Sequence, residues 1–73
     1  MRTLAQLSPG ERGKVTKVGG QAEAARRLRE MGLMRGTTVD VVRRAPLGDP
    51  LEVKVRGFML TLRLAEAEHI EVE

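Results

Sequence analysis

Residues that could act as catalytic groups or as metal ligands are few in this sequence, and most of them lie apart from one another. The single histidine, His69, lies near the C-terminus among the carboxylates of Glu66, Glu68 and Glu71. Such a group can bind a divalent ion weakly, because imidazole and carboxylate are both metal ligands. A short acidic segment with one histidine is more often solvated surface. We therefore predict no metal site and no cofactor.

Catalytic groups are also sparse. The chain has no cysteine, which excludes disulfides and thiolate metal sites. Ser8 lies in a predicted turn and has no candidate base, since His69 stands alone at the other end of the chain. Gly10 and Gly13 are separated by only two residues, and the sequence has no Gly-x-x-x-x-Gly-Lys-Ser/Thr phosphate-binding loop. We expect a protein that is not an enzyme and has no small-molecule substrate.

Positive charge is concentrated in the first half of the chain. Residues 1–36 contain eight basic and three acidic residues, whereas residues 37–73 contain five basic and seven acidic ones. Arginines can bind phosphates through paired hydrogen bonds. The candidate arginines are Arg26, Arg27, Arg29, Arg43, Arg44 and Arg56. Phe58 is the only aromatic residue, so a stacking platform for single-stranded nucleic acid is absent. A small basic nucleic-acid-binding barrel is kept as the alternative function, and nucleic acid is not the expected partner.

A proline-rich turn is expected between two strand-like segments. Pro46 and Pro50 each fix their own φ, and Gly48 can adopt the positive φ that closes a turn. Leu47 at the tip is an apolar side chain that a short turn can hardly bury. Asp49 is expected to bond to nearby backbone in an Asx-type turn. A stiff loop with an exposed apolar tip is a candidate docking element, as well as a plain hairpin.

The one convincing helix is predicted over Gln21–Met31, with Gly20 as its N-cap. Its end is well specified. Gly32 suits the left-handed residue that follows a helix, and Leu28 and Leu33 form the apolar pair of a Schellman motif.

The remaining segments alternate as β-strands do. Strands are predicted over residues 12–18, 38–43, 51–56, 58–64 and 70–73, with one helical turn over 65–69. The last strand is short and charged, as edge strands tend to be. Gly13 is expected to mark a bulge or bend. We predict one domain over residues 1–73, mainly β with one inserted helix: a small SH3-like β-barrel of about five short strands. A five-stranded OB-type barrel is the alternative, although its helix normally falls later in the chain.

Several motifs together resemble the FeoA family. They are residues 7–13 (LSPGERG), 27–33 (RLREMGL), 35–39 (RGTTV), 45–50 (APLGDP), Gly57, and Leu62-Arg63 followed by Glu66-Ala67. These motifs occur in order over nearly the whole chain. The 27–33 and 45–50 motifs are fairly specific in combination. Arg35 departs from the family, which often has proline before that glycine.

The resemblance implies a small cytoplasmic protein of bacterial ferrous iron uptake, with an SH3-like barrel and an inserted helical segment. It further implies that the partner is FeoB, an inner-membrane iron transporter with a cytoplasmic GTP-binding domain. A similar barrel forms the C-terminal domain of iron-dependent repressors of the diphtheria-toxin type. An iron-responsive regulator domain is therefore an alternative function. The sequence shows no DNA-reading helix-turn-helix, so a free-standing repressor is not expected.

The expected function is therefore a non-enzymatic accessory or regulatory module that docks on FeoB, in the cytoplasm and peripheral to the inner membrane through that partner. No run of the sequence approaches the ~20 apolar residues of a membrane span. Self-association through strands or loops is also open. The predicted partner-binding residues are Leu28, Met31, Leu33, Pro46, Leu47, Gly48 and Asp49. Helix packing and capping explain the first three equally well.

Overall fold

Short strands make up most of the chain. The computed structural model describes residues 2–73. Its strands are β1 (Arg2–Thr3), β2 (Arg12–Val18), β3 (Thr38–Arg44), β4 (Leu51–Val55), β5 (Phe58–Leu62) and β6 (Ile70–Val72). Helix α1 (Ala22–Glu30) connects β2 to β3, and the short helix α2 (Leu64–Ala67) connects β5 to β6. A 3-10 turn covers Leu4–Gln6.

All six strands belong to one antiparallel sheet with the order β1-β6-β2-β3-β4-β5. The sheet curves into an SH3-like barrel that is not closed, because β1 and β5 are the two ends of this order. The predicted fold class is confirmed. The strand that the sequence did not reveal is β1, whose two residues are too few to show an alternating pattern.

The short, charged sequence of the last strand had predicted an edge strand, and this prediction was wrong. β6 lies between β1 and β2: Val72 is paired with Arg2 on one side and with Val15 on the other. The charge of Glu71 reflects the face of the strand that points away from the core. It carries no information on whether a neighbouring strand lies beside it, since face and edge are perpendicular directions in a sheet.

The core lies between the inner face of the sheet, α1 and the N-terminal turn. Alternation is clearest in β4, where Leu51, Val53 and Val55 are buried and Lys54 is exposed. Helix α1 contributes Ala25 and Leu28. Further fully buried side chains are Leu4, Leu7, Leu33, Val39, Leu62, Ala67 and Ile70. Burying each large aliphatic side chain stabilises the fold by about 1.5–3 kcal/mol.

Helix α1 is one residue shorter at each end than predicted. Gln21, with an extended backbone, is the N-cap in place of Gly20, and no side chain caps the helix there. Neither this helix nor the shorter α2 is long and apolar enough to cross a membrane, and they are the only α-helices within residues 2–73.

Gly13 permits a close approach between strands and does not mark the bulge. The irregular register in β2 falls between Val15 and Lys17. A Cβ built on Gly13 would lie 2.9 Å from Cβ of Val72 and 3.0 Å from a methyl carbon of Leu7. Glycine is therefore required at this position because β6 and the N-terminal segment pack directly on its backbone.

We expect Gly13→Ala to lower the free energy of unfolding by about 1–3 kcal/mol, the usual cost of adding volume to a packed core. Urea denaturation followed by circular dichroism measures this change. Gly19→Ala is the matched control, since a Cβ there would lie 3.5 Å from its nearest neighbour, the carbonyl oxygen of His69. Equal stability of the two variants would show that crowding against Val72 is not the reason for glycine at position 13.

Candidate partner-binding surface

The loop between β3 and β4 is a tight turn fixed by backbone hydrogen bonds. The N–H of Gly48 donates to the carbonyl oxygen of Ala45 at 2.7 Å, so Pro46 and Leu47 are the two central residues of a β-turn. The N–H of Ala45 donates to the carbonyl oxygen of Pro50 at 3.0 Å. The Asp49–Pro50 peptide bond is cis. The two hydrogen bonds order the loop through its own backbone, as its prolines and glycine predicted.

Leu47 projects from this turn into solvent. This residue is 95% exposed, the highest value among the large apolar residues of the described chain. Pro46 beside it is also exposed, and Gly48 is half-buried. An apolar side chain in this position stabilises nothing within the fold, and it is available to another molecule.

Asp49 has a structural role that differs from the expected one. Its Oδ1 accepts a hydrogen bond of 3.0 Å from the N–H of Leu64, the first residue of α2. The predicted Asx-type bond to nearby backbone was therefore wrong. The first amide groups of a helix have no partner within the helix, and a carboxylate satisfies one of them. Asp49 thus joins the loop to α2.

The other end of the loop is held by Arg44. Its guanidinium Nη2 donates to the carbonyl oxygens of Ala5 and Leu7, the latter at 2.7 Å. These carbonyls belong to the N-terminal turn, which buries Leu4 and Leu7 completely. Arg44 is therefore committed to the fold and is not free to bind phosphate.

The helix-stop residues form the predicted Schellman motif. The N–H of Leu33 donates to the carbonyl oxygen of Leu28 at 3.1 Å, and that of Gly32 to Arg29 at 2.9 Å. Gly32 has a φ of +103°. Leu28 and Leu33 are 2% and 0% exposed, and Met31 is half-buried against the core. Leu28 and Leu33 pack in the core, so their side chains are not accessible at the surface.

The helix stop and the loop lie at opposite ends of β4. A Cβ built on Gly32 would lie 3.7 Å from Val55, the last residue of β4, whereas the loop leads into Leu51, the first. A strand of this length spans about 13 Å at ~3.3 Å per residue. The seven predicted partner-binding residues therefore do not form one patch, and their role in binding stays a prediction.

An earlier turn of α1 does approach the loop. A cavity of about 500 Å³ is lined by Arg27, Asp49, Pro50, Thr61, Arg63 and Glu66. Nη2 of Arg27 donates to the carboxylate of Glu66, which connects α1 to α2. The cavity walls thus carry two guanidinium groups and two carboxylates, and each carboxylate already accepts a hydrogen bond within the fold.

Several of the candidate arginines are engaged in contacts within the fold. Arg27 and Arg44 are engaged as described, and Arg43 donates to Glu52 at 2.6 Å. That hydrogen bond, with the attraction between the two charges, raises the pKa of Arg43 above its usual value. Half of the six candidate arginines are thus occupied, which weakens the nucleic-acid alternative.

The acidic residues around His69 do not converge on a metal position. Within residues 2–73, the fold brings no three histidine, aspartate or glutamate side chains close enough to hold an ion. His69 instead packs beside Gly20, where a Cβ would meet the imidazole carbons at 3.2–3.3 Å.

Sequence reasoning missed the apolar surface at the start of β5. Phe58 is 72% exposed and Met59 53% exposed. Alternation placed Phe58 on the same face as Leu60 and Leu62, which is correct for the direction of its side chain. Because β5 is the last strand of the sheet, the core does not extend far enough to cover Phe58.

The sequence matches the model of the FeoA domain family over residues 2–73. A curated relative from Porphyromonas gingivalis, an Fe(2+) transport protein A/Fe(2+) transporter FeoB fusion protein, is 36% identical over 70 residues. That alignment covers 96% of this chain and 8% of the relative, so the chain spans a small part of that protein's length.

Two solved structures are similar throughout. The FeoA protein of Chlorobium tepidum is 46% identical with a TM-score of 0.92, over 99% of this chain and 69% of its own. FeoA of Stenotrophomonas maltophilia, a prokaryotic SH3 domain protein complexed with zinc, is 34% identical with a TM-score of 0.87. That alignment covers 100% of this chain and 91% of the other.

We expect Asp49→Ala to lower the free energy of unfolding by about 0.5–2 kcal/mol, because it removes the acceptor for the first amide of α2. Asp49→Asn keeps a side-chain oxygen at the same place and should lose less. Urea denaturation of the three proteins provides the comparison. If Asn and Ala were equally destabilising, the hydrogen bond to Leu64 would not be the contribution of Asp49.

Proposed function

The chain belongs to the FeoA family, and from that premise we propose that it is a non-enzymatic accessory module of ferrous iron uptake that docks on the cytoplasmic GTP-binding domain of a FeoB-type transporter. The protein would act in the cytoplasm, at the inner membrane through its partner, without a small-molecule substrate. The loop between β3 and β4 is the proposed docking element, with Leu47 as its anchor.

The fusion protein of Porphyromonas gingivalis supports an association with the transporter. In that relative, the transport protein A and FeoB parts are joined in one polypeptide. Covalent connection supplies a high effective concentration, which a separate chain must replace with affinity of its own. A separate protein of this family therefore needs a surface that recognises the transporter.

Leu47 is the observation that carries the proposal. Its 95% exposure on a turn closed by hydrogen bonds gives an apolar side chain in a fixed position. Docking a rigid element costs less conformational entropy than ordering a flexible one. Burying one leucine in an apolar pocket then contributes about 1.5–3 kcal/mol to binding.

The other predicted residues have distinct parts in this arrangement. Pro46 and Gly48 shape the turn and lie close enough to Leu47 to contact the same partner surface. Asp49 fixes the base of the loop through its bond to Leu64. Leu28, Met31 and Leu33 stabilise the helix end that covers the far end of β4.

We expect Leu47→Asp to abolish or strongly weaken binding to the cytoplasmic domain of FeoB while leaving the fold intact. The charged side chain would have to enter an apolar pocket without a partner. Free energies of unfolding should change by no more than about 0.5 kcal/mol, as is usual for exposed positions. Calorimetric titration of the purified FeoB domain measures the affinity.

Val42→Asp is the matched control, since Val42 is also an exposed apolar residue, at 43%, and receives the same charge. It should bind as the unchanged protein does. Hydrolysis of GTP by the FeoB domain, with and without each variant, shows whether docking alters the enzyme. Unchanged binding by folded Leu47→Asp would rule out the loop as the docking surface.

A further inference from the structure

The outer edge of β5 is a second candidate surface, and it does not include Leu47. β5 is joined to β4 by a two-residue turn in which Arg56 and Gly57 have φ values of +51° and +85°. This is the type I′ hairpin geometry, in which the flanking residues Val55 and Phe58 bond to each other. Antiparallel bonding then alternates along the strand. The backbone N–H and C=O groups of Met59 and Thr61 therefore point away from β4.

This edge lacks the features that normally prevent strand addition. Edge strands are usually very short, or they carry charged residues, proline or a bulge. β1, at the opposite end of the sheet, has two residues. β5 has five residues, Phe58 to Leu62, with no charge, no proline and a regular register to β4.

The exposed side chains of β5 suit an apolar strand beside it. Phe58 is 72% exposed, and Leu60 on the same face is half-buried. A strand added at this edge would place alternate side chains next to Phe58 and Leu60. Apolar residues at those positions would extend the core and remove Phe58 from water.

Positive charge stands at both ends of the edge. Arg56 precedes β5 and Arg63 follows it, both are exposed, and neither forms an ion pair among the described residues. Arg63 also lines the cavity that contains Arg27. A strand of suitable length would have its two ends beside Arg56 and Arg63. Acidic residues at those ends would complement both charges.

A second copy of the chain fits this edge less well. Antiparallel self-pairing that bonds Met59 of one copy to Thr61 of the other would centre the two-fold axis on Leu60. Arg63 of each copy would then lie opposite Gly57, beside Arg56 of the other. Like charges would meet at both ends of the seam, which is unfavourable.

We propose that β5 binds an extended peptide segment, apolar at its centre and acidic at both ends, as an added antiparallel strand. Main-chain hydrogen bonds to Met59 and Thr61 provide the attachment, as in other cases of strand addition. Phe58 and Leu60 select apolar residues on one face, and the two arginines select the acidic ends.

The probe is a capped peptide, Glu-Val-Thr-Val-Thr-Val-Glu, whose valines fall beside Phe58, Leu60 and Leu62. Titration into isotope-labelled protein, followed by amide NMR, should shift the Met59 and Thr61 signals and slow hydrogen exchange of those two amides. The peptide with lysine in place of both glutamates should bind at least about tenfold more weakly at low salt, and the difference should shrink as salt is added. Equal binding of the two peptides would refute the charge selection.

Thr61→Pro tests the attachment itself. Its N–H points outward and is not used by β4, so proline at this edge position is compatible with the fold. We expect Thr61→Pro to reduce peptide affinity at least about tenfold, because it removes a donor and blocks the edge. Thr61→Val keeps the N–H and is the matched control, with affinity unchanged.

Three results would overturn the proposal. One is no shift at Met59 and Thr61 at millimolar peptide. A second is equal affinity of folded Thr61→Pro and Thr61→Val. The third is a dimer of the free protein in sedimentation that Thr61→Pro abolishes, since the occupant of the edge would then be a second copy. All of these readouts are independent of FeoB binding through Leu47.

Discussion

Two polar side chains at the ends of the β3–β4 loop attach the N-terminal turn and α2 to the sheet. Arg44 binds the carbonyl oxygens of the N-terminal turn, and Asp49 accepts the first amide hydrogen of α2. The turn and α2 carry Leu4, Leu7 and Ala67 into the core. Because the sheet is open, these segments cover what its strands alone leave exposed. The loop is therefore an organising centre of the fold, and Leu47 is the part of it that the fold does not use.

Charge in this protein is used mainly for architecture. Arg27 connects α1 to α2 through Glu66, and Arg12 connects β2 to β3 through Asp40 at 2.7 Å. Exposed ion pairs of this kind contribute little to stability. The net positive charge thus overstates the basic surface available to a ligand. Arg56 and Arg63, which flank β5, are among the guanidinium groups left for recognition.

The two proposed surfaces differ in physical character and position. Leu47 offers one apolar side chain on a fixed turn, whereas β5 offers unpaired backbone groups beside Phe58. β5 runs alongside β4, with Leu62 opposite Leu51, where the loop ends. One partner can therefore place a strand along β5 and a pocket over Leu47. A module that uses two weak contacts at once gains affinity through effective concentration, without a large interface. This suits a chain of only 73 residues, whose total surface is small.

The sequence by itself determined the local features of this protein, because these depend on the chemistry of neighbouring residues. Proline and glycine positions predicted the turn around Leu47, the Leu28–Leu33 pattern predicted the helix stop, and alternation predicted the faces of the strands. These features depend on neighbours within a few residues. Only the tertiary structure decided that β6 is internal, that Asp49 bonds to Leu64, and that Phe58 lies beyond the core. Strand order and side-chain partners distant in sequence depend on how the whole chain packs, which no local pattern encodes. For the same reason, the helix stop and the loop proved to be far apart although only a short stretch of sequence separates them.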